Sequence, residues 1–288
     1  MALSLEQTRH VLSRLGVCPN RKLGQNFLVD ARITERSLQW ADLSSKDVVI
    51  EIGPGCGTLT EGLVKTGATV FAVEKDEAFY RHISETYPID ILHNDALEHP
   101  VGRFLLDNTY KIVANLPYAI ASVWLATVLN LPRLPDDMIL LVQKEAADRW
   151  FAKSGSKHFC ALGIALQATY ELKNTLFVAK KCFYPQPKVD SLLIHAQKKQ
   201  DGIALSQDFK DFLRTLFLHR RQQIGRLCRE TASPYATSFL AYLPTKGLNE
   251  KVRAEDIPLD VWLQFYQENL QKSFAPQDSS RAASLVRP

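Results

Sequence analysis

The strongest constraint on the fold is a run of alternating patterns between residues 48 and 144. Five β-branched apolar segments, VVIEIG, TVFAVE, DILHND, YKIVANLPY and DMILLVQK, are separated by stretches with helical apolar spacing, such as the one through Phe79 and Ile83. Strands that alternate with helices form βαβ units, whose right-handed crossovers give a parallel sheet with helices on both faces. We therefore predict an α/β fold with a mostly parallel sheet.

The sheet is predicted to end in a hairpin. The segments LKNTLFVAK and KVDSLLIHAQ have little between them except the turn-rich FYPQP, which is typical of an antiparallel pair. From about Ser206 the apolar spacing becomes helical, which predicts a small C-terminal all-helical domain.

The domain boundaries follow from these patterns. We expect residues 1–200 to form the sheet domain with a basic N-terminal extension, and residues 201–272 to form the helical domain. Residues 273–288 are rich in Ser, Ala and Pro, and we expect them to form a flexible tail.

Composition excludes several classes of protein. The longest aliphatic run in the middle of the chain, Met138 to Val142, is far shorter than the roughly 20 residues of a membrane span. Glu6 and Arg9 interrupt the N-terminal stretch, where a secretory signal needs an apolar core. Five scattered cysteines without a C-x-x-C pair, and scattered histidines, predict reduced thiols and no metal. We expect a monomeric cytoplasmic protein without metal, and its net charge of +4 fits a polyanionic partner.

A glycine-rich loop indicates a nucleotide-type cofactor. Three glycines in Gly53-Pro54-Gly55-Cys56-Gly57 join a predicted strand to a helix and allow close approach of a ligand. Glu74, about 20 residues further on at the end of the next strand, can accept hydrogen bonds from ribose hydroxyls, unless it is only a surface carboxylate. Asp95, after the third strand, can accept from an adenine amine or cap a following helix.

The fourth predicted strand ends in Asn115-Leu116-Pro117-Tyr118, which can hold a flat ring that carries an amine. The Asn115 side-chain oxygen and the Leu116 carbonyl can both accept from one exocyclic amine, and Tyr118 offers a ring for stacking. Pro117 biases Leu116 toward an extended conformation. An ordinary strand-to-turn exit is the alternative interpretation. A nicotinamide-dependent oxidoreductase would need an acid-base group here, so this segment and the hairpin favour a methyltransferase.

Seven motifs in order carry a resemblance to one family across nearly the whole chain: Arg21-Lys22-Leu23-Gly24-Gln25-Asn26-Phe27-Leu28, EIGPGCGTLT, VEKD, NDAL, NLPY, Gln143-Lys144-Glu145 and Phe183-Tyr184-Pro185-Gln186-Pro187-Lys188-Val189-Asp190-Ser191. Together they resemble the ribosomal RNA adenine dimethyltransferases, which have a Rossmann-like methyltransferase sheet and use S-adenosylmethionine. The resemblance implies dimethylation of two adjacent adenosines near the 3′ end of small-subunit ribosomal RNA within a pre-ribosomal particle.

The resemblance also implies roles for individual residues. Asn26 and Leu28 contact the methionine end of the cofactor, and Gly53 lies against it. Glu74 holds the ribose, Asp95 holds the adenine amine, and Asn115 spans cofactor and target. Leu116 contributes its carbonyl, and Phe183 stacks on the target base opposite Tyr118. From the residues alone, Asn26 is equally a turn residue, and Phe183 is a core aromatic at a strand end.

Basic residues supply the expected RNA contacts: Lys153, Lys157, Lys180, Lys181, Lys188, Arg214, Arg220, Arg221, Arg226 and Arg229. We predict one helix through Phe217–Gln223, in which Arg214 and Arg221 share a face aimed at phosphate. The chain departs from the family at Gln222, where another basic residue is usual, and at Leu23, where an aromatic is expected. Two alternatives remain: a large-subunit ribosomal RNA methyltransferase of the resistance type, and a non-catalytic ribosome assembly factor.

Overall fold

The computed structural model describes residues 3–20, 24–105 and 107–274. The helices are α1 (Leu5–Leu15), α2 (Ala31–Ala41), α3 (Thr60–Lys65), α4 (Glu77–Thr86), α5 (Ala121–Val128), α6 (Lys144–Trp150), α7 (Ala161–Thr169), α8 (Gln207–Leu218), α9 (Ile224–Glu230), α10 (Ala236–Tyr242) and α11 (Leu259–Phe274). The strands are β1 (Phe27–Leu28), β2 (Val48–Ile52), β3 (Thr69–Glu74), β4 (Asp90–His93), β5 (Lys111–Asn115), β6 (Asp137–Gln143), β7 (Tyr170–Val178), β8 (Phe183–Tyr184) and β9 (Ser191–Lys198). Short 3₁₀ helices span Lys180–Cys182, Leu243–Lys246 and Ala254–Asp256. Arg21, Lys22 and Leu23 of the basic N-terminal motif, and residues 275–288 of the predicted tail, lie outside the described residues.

The main sheet has seven strands in the order β4-β3-β2-β5-β6-β9-β7. Strands β4, β3, β2, β5 and β6 are parallel, and β9 runs antiparallel to both of its neighbours. The predicted parallel sheet with a terminal antiparallel pair is therefore confirmed. Central residues such as Val49, Val113 and Ile139 are fully buried, because helices cover both faces of a parallel sheet.

The order of the strands determines where a ligand can bind. The chain builds β2, β3 and β4 outward in one direction and then returns to place β5 on the other side of β2. At such a switch point the connections after the two adjacent strands diverge and leave a crevice at their carboxyl ends. Gly53 follows β2 and Asn115 ends β5, so both of the most informative sequence motifs lie at this crevice.

The chain forms two compact units. The first comprises residues up to 152 together with 165–204, and it contains the seven-stranded sheet. The second comprises 153–164 and the described residues from Leu205 onward. Its core is aromatic: the rings of Phe239 and Trp262 stack with centroids 4.5 Å apart, and both side chains are fully buried.

One prediction about the helices of the second unit is wrong. Helix α8 ends at Leu218, and His219–Arg221 form a turn before α9 begins at Ile224. Arg214 and Arg221 therefore do not share a helix face, because only Arg214 is in α8. The apolar periodicity was a poor guide to the helix end, since it stops at half-buried Phe217, before the polar residues of the turn.

Candidate active site

A cavity of about 300 Å³ lies at the carboxyl ends of β2, β3 and β5. Its lining includes eight of the nine site residues predicted from the sequence: Asn26, Leu28, Gly53, Glu74, Asp95, Asn115, Leu116 and Tyr118. Its volume is at the lower end of the range for small-molecule sites. The ninth predicted residue, Phe183, is buried and is not part of the lining.

The glycine loop forms one wall of the cavity, and its backbone lies close to the ring of Phe27. Gly53 and Gly55 have φ angles of +67° and +55°, which lie in the left-handed region. A Cβ atom at Gly55 would lie 3.0 Å from Cε1 of Phe27. A side chain at Gly55 would therefore be strained and would displace the ring that packs on the loop.

Glu74 is buried at the end of β3, which excludes the interpretation of a surface carboxylate. Its Oε2 accepts a hydrogen bond from the backbone N–H of Gly55 at 3.0 Å, and its Oε1 accepts from the backbone N–H of Asp76 at 2.9 Å. Burial raises the pKa of this carboxyl, and the two backbone donors partly offset that effect. The carboxyl thus ties the glycine loop to the segment that follows β3.

Glu51 is a second buried carboxyl in the lining, and it is not among the site residues predicted from the sequence. Thr60 donates a hydrogen bond of 2.7 Å to Oε2 of Glu51. The pKa of Glu51 is raised to about 8, chiefly by burial; the Thr60 hydrogen bond lowers it and the nearby charge of Glu74 contributes to the rise. The available signal was an acidic residue inside the apolar run VVIEIG on a strand that is buried on both faces.

The raised pKa of Glu51 predicts how stability depends on pH. In the unfolded chain this carboxyl titrates near 4.5, so the folded protein binds the proton more tightly. The stabilisation that this tighter proton binding gives the folded protein is fully present below pH 4.5. It is lost as the pH rises through about 8. We expect Glu51→Gln to match the wild-type Tm at pH 5 and to exceed it by at least about 2 °C at pH 9.

Thermal unfolding monitored by circular dichroism at both pH values measures this difference. Glu35→Gln, at an exposed position in α2, is the matched control and should show no such gap. An equal Tm difference at pH 5 and pH 9 would show that Glu51 titrates near its ordinary value in the folded protein.

Asp95 lies in a turn and does not cap a helix. Its Oδ1 accepts from the backbone N–H of Leu97 at 2.9 Å, and its Oδ2 accepts from Nζ of Lys75 at 2.7 Å. The Lys75 ammonium is the largest cause of the lowered pKa of this carboxyl. A ligand amine at Asp95 would therefore share the carboxylate with Lys75 or replace it, a competition that the sequence did not reveal.

The N-terminal segment is held against the cavity by Asp76, which sequence reasoning also missed. Asp76 caps helix α4 by accepting from the backbone N–H groups of Ala78 and Phe79. Its Oδ2 accepts a hydrogen bond of 3.2 Å from Nε2 of Gln25. The signal was an N-cap residue at the start of the Asp-Glu-Ala-Phe segment, directly after the VEK strand end.

Asn26 and Asn115 are in direct contact. The Asn115 Nδ2 donates to the Asn26 backbone carbonyl at 3.1 Å, and the Asn26 Nδ2 donates to the Gly24 carbonyl at 3.0 Å. The first bond orients the Asn115 amide, so that its Oδ1 is the end available to accept from a ligand. The Leu116 N–H is bonded to the Leu141 carbonyl at 3.1 Å, which fixes that peptide at the end of β5.

A short ladder links the N-terminal segment to the segment that carries Phe183. Strand β1 pairs antiparallel with β8, with Phe27 opposite Tyr184 and Leu28 opposite Phe183. The Val29 N–H also donates to the Cys182 carbonyl at 2.9 Å. The side of the cavity predicted to hold cofactor is thus joined by backbone hydrogen bonds to the side predicted to hold the target.

The two predicted stacking rings are neighbours but do not form a slot. The ring centroids of Tyr118 and Phe183 are 6.4 Å apart, and the ring planes meet at 72°. Tyr118 is half-buried, whereas Phe183 is 2% exposed and belongs to the core beside Leu28 and Cys182. A base stacked between the rings would need parallel planes, so one ring must turn before both can stack on it.

Most of the arginines expected to contact RNA are paired with acidic residues of the second unit. Nη1 of Arg214 lies 3.7 Å from Oδ1 of Asp211. In α9, Nε of Arg226 lies 2.7 Å from Oε1 of Glu230, and Nη1 of Arg229 lies 2.7 Å from Oε2 of Glu250. Arg220 lies 3.6 Å from Glu255 and donates to the Lys157 carbonyl. In the first unit, Lys180, Lys181 and Lys188 are exposed around β8, next to the predicted target side.

Within residues 3–20, 24–105 and 107–274, no group of three or more His, Cys, Asp or Glu side chains is arranged to hold a metal ion. No helix in these ranges is long and apolar enough to cross a membrane.

The family model described as ribosomal RNA adenine dimethylase matches residues 18–271. The chain belongs to the ribosomal RNA adenine dimethylase family. The resemblance derived from the seven motifs is thereby confirmed. A curated relative from Opitutus terrae, named ribosomal RNA small subunit methyltransferase A, is 43% identical over 91% of this chain and 97% of its own length. A relative of the same name from Natranaerobius thermophilus is 31% identical over 92% of this chain and 96% of its own length.

Solved structures support the Rossmann-like methyltransferase fold of this dimethylase. A dimethyladenosine transferase from Plasmodium falciparum is similar with a TM-score of 0.69 and 22% identity, over 86% of this chain and 98% of that chain. The 23S rRNA methyltransferase ErmE is similar with a TM-score of 0.59 and 21% identity, over 84% of this chain and 98% of that chain. At these identities the similarity bears on the fold alone.

Proposed function

We propose that this dimethylase uses S-adenosylmethionine to dimethylate the exocyclic amines of two adjacent adenosines near the 3′ end of small-subunit ribosomal RNA. The observation that carries the proposal is the position of Asn115. Its amide lies in the same cavity as Gly53 and Glu74, with its donor end bonded to Asn26. The relatives named ribosomal RNA small subunit methyltransferase A support the choice of subunit.

The residues present fit the cofactor. The left-handed glycines bring the backbone close to a ligand, and a Cβ at Gly55 would disrupt that wall. Glu74 would accept from the ribose hydroxyls, Asp95 from the adenine amine, and Asn26 and Leu28 would contact the methionine end. When bound, S-adenosylmethionine would supply an electrophilic methyl group on its sulfonium centre.

The protein's own contribution to the reaction is positioning of the target amine. The lone pair of an adenine amine is delocalised into the ring, so the amine must be drawn toward a tetrahedral geometry before it can react. Asn115 Oδ1 and the Leu116 carbonyl would accept its two hydrogens and direct the lone pair out of the ring plane. Holding the reactants in line is then the main catalytic contribution. Methyl transfer would leave the amine cationic and acidic, and its extra proton would pass to water, so no strong general base is required.

The target base must leave its stack to reach this cavity. Flipping costs a few kcal/mol and is least costly in a loop or an unpaired strand. Stacking on an aromatic ring returns about 1–3 kcal/mol per base. Of the two predicted stacking rings, Tyr118 lines the cavity, and Phe183 would join it after the rotation described above.

We propose that RNA binding uses the exposed lysines near β8 and the basic residues of the second unit that were predicted from the sequence. Lys180, Lys181 and Lys188 flank the segment that carries Phe183 and would meet phosphates next to the flipped nucleotide. The paired arginines of α8 and α9 would contribute less, because each must exchange an acidic partner for a phosphate. We propose a monomer that acts in the cytoplasm on a pre-ribosomal particle.

Methylation of isolated subunits tests the function. The full chain is incubated with S-adenosylmethionine labelled in its methyl group and with either small or large subunits that lack the modification. We expect label in small-subunit RNA, mapped to two adjacent dimethyladenosines. Label confined to the large subunit would identify the resistance-type alternative, and RNA without label in either subunit would contradict the proposed enzyme.

A further inference from the structure

Ser191 is a fully buried polar residue outside the cavity lining. It begins β9, and its backbone is paired on both sides, opposite Gln143 of β6 and Val178 of β7. It is therefore fixed in the interior of the sheet, where a hydroxyl requires a hydrogen-bond partner.

That partner is the ring predicted to stack on the target base. The Tyr118 Oη lies 2.6 Å from Ser191 Oγ. Burial raises the pKa of the Tyr118 phenol, so the hydroxyl is neutral at physiological pH and remains able to donate. The contact spans 73 residues of sequence and joins the turn after β5 to the start of β9.

The geometry of a tyrosine determines what this bond controls. The hydroxyl oxygen lies on the axis through Cβ and Cγ, so anchoring it fixes where the ring axis points but leaves rotation about that axis free. Edge contact with Phe183 restrains the rotation. Ser191 thus sets the position of the ring, and the rotation needed for stacking stays possible.

We propose that Ser191 is a positioning residue, which holds the Tyr118 ring at the place where the target base stacks. The proposal rests on the proposed function of the cavity, because it assigns Tyr118 to the base. Ser191 acts through the tyrosine hydroxyl and has no contact with the cavity of its own. The effect of the serine hydroxyl must therefore disappear when the tyrosine hydroxyl is absent.

A double-mutant cycle tests this coupling. Single-turnover methylation of small subunits and cofactor Kd are measured for wild type, Ser191→Ala, Tyr118→Phe and the double variant. We expect each single substitution to lower the rate constant about three- to ten-fold, and the double variant to be no slower than either one. Cofactor Kd should be unchanged in all four. If Ser191→Ala slows the Tyr118→Phe background as much as it slows wild type, or slows neither, the positioning role is wrong.

Ser122→Ala is the matched control, because it also removes a serine hydroxyl that is bonded to an aromatic side chain, Nε1 of Trp150 at 3.2 Å. We expect it to leave the methylation rate unchanged. A readout independent of activity is the crystal structure of Ser191→Ala, in which the Tyr118 ring axis should shift; an unmoved ring would also overturn the proposal. If the wild-type chain methylates neither subunit, the proposed function is wrong. The position of the Tyr118 ring in the Ser191→Ala crystal structure would then still show whether Ser191 holds that ring in place.

Discussion

Replacing Asn115 with alanine is expected to lower the rate constant of methyl transfer by at least about 100-fold, comparable to the loss of one preorganised hydrogen-bonding group at other active sites. The substitution removes Oδ1, one of two acceptors for the target amine. The Leu116 carbonyl alone would hold one hydrogen and leave the lone pair free to return to the ring plane. Single-turnover kinetics with saturating cofactor measure the effect.

The same substitution should change cofactor affinity much less, by under about ten-fold, since one neutral hydrogen bond contributes about 1 kcal/mol. The bond at risk is the one from Asn115 to the Asn26 carbonyl. Asn174→Ala, on exposed edge strand β7, is the matched control for loss of an asparagine amide. An Asn115→Ala enzyme with near wild-type turnover would show that the amine is oriented by other groups.

Replacing Glu74 with alanine is expected to raise the Kd for S-adenosylmethionine by at least about 100-fold, because hydrogen bonds to a charged group contribute about 1.5–3 kcal/mol each and two ribose hydroxyls lose their acceptor. Two backbone donors, the buried N–H group of Gly55 and the partly buried one of Asp76, also lose their partner. The glycine loop should therefore loosen, and the Tm should fall as well. Isothermal titration calorimetry and thermal unfolding measure the two effects.

Glu77→Ala is the matched control, since it removes a carboxylate three residues away that is exposed and paired with Arg81. It should change neither the Kd nor the Tm appreciably, as is usual for a surface ion pair. If Glu74→Ala lowered the Tm but kept wild-type cofactor affinity, Glu74 would be a structural carboxyl of the loop and the ribose would be held elsewhere.

The sheet was predictable because its signals are local. Apolar runs alternate with helical spacing on the scale of one element, and parallel strands bring their carboxyl ends to one edge of the sheet. Glu74, Asp95 and Asn115 each end or follow such a strand, so their convergence on one cavity followed from topology. The order of the strands, which was not predicted, supplies the distance information that single motifs lack.

What the sequence did not predict depends on contacts between distant segments. The edge contact between Tyr118 and Phe183 joins two segments far apart in the sequence, and the ion pair of Asp95 with Lys75 spans 20 residues. The raised pKa of Glu51 depends chiefly on its burial, which only the folded sheet provides. The end of α8 depends on several weak local preferences, because no glycine or proline lies between Leu218 and Ile224 to stop the helix.

The ladder between β1 and β8 has a thermodynamic consequence. Residues 26–28 line the cavity on the side predicted to hold the cofactor, and Phe27 and Leu28 pair with the strand that carries Phe183. We expect ligand-induced ordering of either strand to be shared by both. Linkage then requires the effect to be reciprocal: the factor by which bound cofactor tightens RNA binding equals the factor by which RNA tightens cofactor binding. Because each adenosine takes two methyl groups, spent cofactor must be exchanged between transfers. We expect that exchange to weaken the hold on the singly methylated base, so monomethyl product should accumulate when cofactor is scarce.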